Sequence, residues 1–130
     1  MGCIDPKTRK FAYASAGHPA GYILNASGEI KGTLKRTGPP LGIRPDTQFA
    51  SAPEIVLAPG DLVLLLTDGI EESSAPDGTF FGLERALETV RSNHSRTAQQ
   101  IVLALYEAVR AFAGPAPQMD DITVIVVKVK

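Results

Sequence analysis

Leu62-Val-Leu-Leu-Leu-Thr-Asp-Gly69 is the most informative stretch of the chain: five consecutive apolar residues, then a threonine, an acidic residue and a glycine. A run of this kind leaves no polar face, so it reads as a strand buried on both sides. The tight turn Pro59-Gly60-Asp61 leads into it. A second stretch of the same character, Asp121 to Val129, closes the sequence and is apolar on both faces over most of its length. Between the two, the hydrophobic period changes from two to nearly four. Leu83, Leu87 and Val90 fall on one helical stripe, and Ile101, Leu105, Ala108, Val109 and Phe112 fall on another. Thr97 has the position and chemistry of an N-cap for the second helix, and Gly114-Pro115 stops it.

Upstream, from Arg9 to Asp68, the pattern is short strands divided by turns. Lys10 to Ser15 alternates large and small residues, as a strand does between two different surroundings. Gly17 and Pro19 interrupt it, Gly21 to Asn25 resumes as a strand, and Ser27-Gly28 makes the turn that closes it. Thr37 to Gly42 holds two prolines and two glycines and excludes regular structure. Phe49 to Leu57 is a further strand candidate, broken near Pro53. Two-faced strands with amphipathic helices between them require layers, sheet against sheet with helices outside. A sandwich of two sheets alone would leave one face of Leu62 to Leu66 in water. The sequence therefore predicts a layered α+β fold.

The 130 residues suit one domain, 1–130, and the 44% hydrophobic and 21% charged content is that of a globular chain. Thirteen Lys and Arg against fourteen Asp and Glu give a net charge of -1, without the basic excess of a nucleic-acid binder. A single cysteine, Cys3, excludes an internal disulfide framework and fits a reducing compartment. The longest apolar run is far short of the ~20 residues that cross a bilayer. No charged-then-apolar leader opens the chain. A cytoplasmic domain without membrane or nucleic-acid partners is expected.

Chemistry is expected at the strand ends. Asp68 follows one buried strand, and Asp120 and Asp121 precede the other. Should those strands be neighbours, the carboxylates converge, repel one another and call for a cation or a shared proton. Oxygen donors without a nearby Cys or His pair favour Mg or Mn over Zn. The plainer reading makes Asp68-Gly69 a turn and Asp120-Asp121 a solvated loop. His18, in Ala-Gly-His-Pro, is either an acid–base group or a turn residue bonded to backbone. Glu71 to Gly78 is either a flap over a site or an acidic surface loop, the loop being favoured by composition. Thr37 to Gly42 lacks the lysine of a phosphate-binding loop, and His94 reads as a surface residue.

Six pieces, in order, resemble one family: Tyr13-Ala-Ser-Ala-Gly-His-Pro19, Gly38-Pro-Pro-Leu-Gly-Ile43, Leu57-Ala-Pro-Gly-Asp-Leu62, Leu66-Thr-Asp-Gly69, Asp77-Gly-Thr-Phe-Phe-Gly82 and Asp120-Asp-Ile-Thr-Val124. Together they are similar to the C-terminal half of the SpoIIE-type phosphatases, the bacterial branch of the metal-dependent protein phosphatase (PPM) family. The resemblance runs from about Ile4 to the end. It implies a layered α/β/β/α sandwich, present here as a C-terminal partial domain, in which metal ions activate water against phosphoserine or phosphothreonine. Position by position, Asp68 and Asp120 match the family's metal-binding aspartates. Asp121 stands beside a ligand without being one, Gly69 belongs to the turn that aims Asp68, and His18 shapes the fold near the site.

The resemblance further implies Mn2+ or Mg2+ as cofactor, two ions in the intact family and at most one weak site here. The bridging aspartate and several central strands of the family's first half have no counterpart in this sequence. Met1 to Ile4 reads as starting inside a strand, as in a fragment or a misplaced gene start. The expected partner is a phosphorylated regulatory protein, such as an anti-sigma-factor antagonist, under the control of an upstream sensor domain. The rival expectation is a non-catalytic interaction module that keeps the fold's surface without a complete metal centre.

Overall fold

The computed structural model describes residues 1–118 and 120–130. Along the chain run β1 (Gly2–Ile4), β2 (Lys10–Tyr13), β3 (Gly21–Leu24), β4 (Ile30–Leu34), β5 (Ile55–Val56) and β6 (Leu62–Leu66). Then come α1 (Asp68–Glu71), α2 (Gly82–Ser92), α3 (Ala98–Ala113) and β7 (Val124–Lys128). The strands form two antiparallel sheets, ordered β1-β2-β5 and β4-β3-β6-β7.

The apolar run forms the inner strand β6, as its composition predicts. Its pleat sends Leu62, Leu64 and Leu66 toward the helices, where they pack with Leu87, Val90, Ile101 and Leu105. Val63 points the other way and joins Phe11, Ile23, Leu34 and Leu57 between the two sheets. The layers are therefore three-stranded sheet, four-stranded sheet and helices. Among the described residues, helices cover one outer face of this α+β sandwich.

Local chemistry sets the edges of these elements. Thr97 Oγ1 accepts the Gln100 N–H at 3.2 Å, while the Gln100 side chain accepts the Thr97 N–H at 3.1 Å. Gly114, with φ of 57°, ends α3 and donates its N–H to Arg110 at 2.9 Å. The β3–β4 hairpin turns on Gly28, whose φ of 82° suits glycine, and on Asn25, whose side chain accepts the Ser27 and Glu29 N–H groups at 3.0 and 2.9 Å. Asp61, 2% exposed, accepts from Lys31 Nζ at 2.5 Å and from Ala58 N–H at 2.8 Å. That pair, buried at Asp61 and open to solvent at Lys31, ties β4 to the turn that launches β6.

Three expectations need correction. β7 is only partly buried: Val124 and Val126 pack on the helix side and Val127 between the sheets, but Ile125 is 48% exposed, and among the described residues the strand is hydrogen-bonded on one side only. The candidate strand Phe49 to Leu57 shrinks to Ile55–Val56, since Pro53 carries no donor for a ladder. Where a simple Asp-Gly turn is one reading, the chain instead makes the short helix α1. Among the described residues no helix is long and apolar enough to cross a membrane.

Candidate metal centre

The β6–β7 pairing carries the site. Its register runs from Leu62↔Lys128 to Leu66↔Val124, so the end of β6 lies beside the start of β7. The pairing continues one step past the strands, with Thr67 N–H donating to Thr123 O at 3.1 Å. Asp68 is the first residue of α1, and Asp120 and Asp121 lead into β7. All three aspartates are exposed. Gly69 is buried, and a Cβ on it would collide with the carbonyl oxygen of Asp121 and come within 3.1 Å of that carbonyl's carbon. The structure thus brings Asp68, Gly69, Asp120 and Asp121 to one edge, across some fifty residues of sequence. Gly69 does more than turn the chain: its bare Cα lets the two segments touch.

Backbone contacts hold the aspartates and leave carboxylate oxygens free. Asp120 Oδ1 accepts the Asp121 N–H at 2.7 Å, and Gln118 Nε2 donates to Asp120 O at 2.8 Å. Among the described residues, the Asp68 carboxylate accepts no hydrogen bond. Ser73 Oγ donates to Gly69 O at 2.6 Å, closing α1 from its far end. Thr67, which sequence reasoning passed over, lies at the centre of the junction. Its Oγ1 accepts the Thr123 N–H at 2.9 Å and donates to Asp121 O at 3.2 Å. The available signal was a hydroxyl ending a wholly apolar strand, just before the candidate ligand.

A cavity of about 290 Å³ opens beside Asp120, walled by Gly69, Glu72, Phe80, Arg110 and Ile122. The segment bordering it is neither a simple flap nor a featureless acidic loop. Ser74 bridges Phe80, Ala75 N–H donates to Thr79 O at 2.9 Å, and Phe81 N–H donates to Ser73 O at 2.7 Å, making a hairpin. Asp77 Oδ1 accepts the Thr79 N–H at 2.9 Å, which holds its carboxyl below the ordinary value of 3.8. On the sheet side, burial and then the nearby Glu71 carboxylate push the Tyr22 phenol above its ordinary value.

His18 does not line the cavity beside Asp120; it borders a cleft on the other side of the sheet, with Leu65 and Ile125. Its Nδ1 lies 2.8 Å from Pro19 O, and Arg36 Nε donates to its own carbonyl at 3.2 Å, so it is a turn residue bonded to backbone. His94 also departs from expectation: its Nε2 is buried rather than at the surface, with Lys128 Nζ donating to its carbonyl at 2.6 Å.

The donor chemistry of the edge fits a hard divalent cation: oxygen ligands, free carboxylate lone pairs and access from solvent. Among the described residues no group of three or more His, Cys, Asp or Glu is placed to hold a metal.

The sequence profile described as Stage II sporulation protein E (SpoIIE) matches residues 1–130. The chain belongs to the SpoIIE family. It is 35% identical over 127 residues to Protein IcfG of Synechocystis sp., covering 98% of this chain and 20% of that protein. With the Phosphoserine phosphatase RsbU of Bacillus subtilis it shares 27% identity over 121 residues, 93% of this chain and 35% of RsbU. The SiaA-PP2C domain of Pseudomonas aeruginosa matches with a TM-score of 0.79 and 26% identity, over 95% of this chain and 48% of that one. The PP2C phosphatase domain of SpoIIE from B. subtilis, at 21% identity, matches in fold with a TM-score of 0.78. The fold is a partial PP2C-like α+β domain, and the chain spans well under two thirds of each of these relatives.

Proposed function

We propose that the chain supplies the Asp68 and Asp120 part of a metal-dependent protein serine/threonine phosphatase centre. The observation that carries this reading is the antiparallel β6–β7 pairing, which delivers both carboxylates to one edge. Asp68 and Asp120 would hold Mg2+ or Mn2+ through their free oxygens, with Asp121 and Gly69 keeping the two segments in contact. When bound, such a cation acidifies water and offsets the charge of phosphoryl oxygens.

Metal-activated water, rather than a side-chain nucleophile, belongs to this reading. Ser73 Oγ is committed to Gly69 O, His18 to its own turn, and Cys3 lies on β1 in the other sheet. The cavity beside Asp120 would receive residues flanking the phosphorylated side chain, with Phe80 on its rim and Arg110 in its wall. RsbU, named a phosphoserine phosphatase, supports phosphoserine as a substrate; phosphothreonine, and a regulatory protein as the carrier, extend the same reading. An anti-sigma-factor antagonist as substrate, an upstream sensor domain and a cytoplasmic setting belong to the same reading.

A second reading, a non-catalytic interaction module, is favoured by one observation: among the described residues no group of three or more His, Cys, Asp or Glu is placed to hold a metal. Lacking the family's bridging aspartate, the chain alone is expected to hydrolyse a phosphoserine peptide little or not at all with millimolar Mn2+, so Mn2+ binding separates the two readings. The phosphatase reading expects Mn2+ binding that Asp68→Asn and Asp120→Asn each abolish. Binding indifferent to both substitutions, or absent in the parent, would favour the interaction module.

A further inference from the structure

We propose that Thr67 is a positioning residue whose hydroxyl sets the separation of the Asp68 and Asp120 carboxylates; the inference rests on the metal reading above. A four-residue helix cannot hold itself in place, because nucleating a turn costs more than its few hydrogen bonds return. The position of α1, and of Asp68 on it, must come from contacts outside the helix. A threonine at an N-cap ordinarily turns its oxygen onto an amide of its own first turn. Thr67 has the extended backbone of an N-cap, φ -87° and ψ 160°, yet its side chain caps nothing in α1.

The hydroxyl is used across the strands instead. It accepts the Thr123 N–H at 2.9 Å and donates to Asp121 O at 3.2 Å, in preference to Thr123 O at 3.5 Å. One atom thereby grips the segment after Asp120 with both its donor and its acceptor. It belongs to the residue immediately before Asp68. The Thr67 N–H adds a third link to Thr123 O, and Gly69 closes against Asp121 from the other side. The backbones that carry Asp68 and Asp120 cannot shift against each other without disturbing this set. The β-branch narrows χ1, so the hydroxyl is held ready for both partners.

The decisive pair of variants is Thr67→Val, which keeps the shape and removes the hydroxyl, and Thr67→Ser, which keeps the hydroxyl. Mn2+ alone is titrated calorimetrically into the parent, both variants, Asp68→Asn and Asp120→Asn, with metal-free melting recorded for each. The proposal expects Thr67→Val to weaken Mn2+ binding about 10- to 100-fold, as loss of groups that orient ligands does, and Thr67→Ser to stay near the parent. A merely structural role would lower metal-free melting and leave Mn2+ affinity unchanged. Parent-like affinity in a folded Thr67→Val, or equal losses in Val and Ser, overturns the proposal while the metal reading stands. Affinity unchanged in Asp68→Asn and Asp120→Asn, or absent in the parent, overturns the metal reading and the proposal together.

Discussion

The two faces of the four-stranded sheet are built from similar residues and finished differently. On the helix side, α2 and α3 close over Leu62, Leu64 and Leu66, and Ile101, Leu105 and Val90 reach full burial. On the other side a short three-stranded sheet covers Val63, Ile23 and Leu34, then leaves a cleft of about 440 Å³ along Tyr13, Leu34, Leu41, Leu65 and Ile125. Leu41 is 74% exposed at its margin. One strand, β6, serves both faces, and the candidate metal centre hangs from its end. Stability and site geometry are therefore separable: the helix side holds β6, and a few backbone contacts at its tip hold the aspartates.

Core truncation tests this contrast with the largest effect. Leu105→Ala empties a closed interior and is expected to cost about 2–5 kcal/mol in urea denaturation. Leu34→Ala borders the open cleft, where neighbours and water can relax into the space, and is expected near the lower end, about 2 kcal/mol. The reverse ranking would break the comparison. Next comes Gly69→Ala, whose methyl meets the Asp121 carbonyl; forcing that contact should cost about 1–3 kcal/mol and part the two aspartates. Full stability in Gly69→Ala would show that the junction is looser than its geometry. Thr97→Ala removes one half of the α3 capping box and should cost about 1 kcal/mol by thermal melting, an effect confined to the helix side.

The smallest effect concerns pH at the hairpin beside the cavity. The Asp77 carboxyl titrates below 3.8 because it accepts the Thr79 N–H. A carboxyl with a depressed folded pKa stabilises its structure above the unfolded value, and that contribution fades as pH falls through the folded one. The protection of the Thr79 amide, measured relative to its intrinsic exchange rate, should therefore fall on acidification below pH 3.8. In Asp77→Asn that pH dependence should vanish. Because Asp77 is exposed, the change should stay local and leave global melting nearly unmoved.

What the sequence made legible follows the same division. The stripe Ile101, Leu105, Val109 and the run Leu62 to Leu66 each carry one strong period or none, so α3 and β6 could be read directly. Strand β4, Ile30-Lys-Gly-Thr-Leu34, alternates only weakly around a central glycine; pairing with β3 makes it a strand. An apolar run cannot say how completely its two faces are covered, so the exposure of Ile125 on β7 was not legible in it. Asp68 and Asp120 stood out as acidic residues capping apolar strands. Thr67 did not, because its role depends on the β6–β7 register, which exists only once the strands pair.

The account turns on whether Asp68 and Asp120 share one cation, and melting temperature with and without Mn2+ measures that most directly. A cation bound by the folded chain alone raises stability by about 2.7 kcal/mol at a hundredfold excess over its dissociation constant. The parent and Asp77→Asn should show that Mn2+-dependent rise, whereas Asp68→Asn and Asp120→Asn should each lose it. A parent that melts at the same temperature with and without Mn2+, or a rise that survives in both ligand variants, would contradict the account.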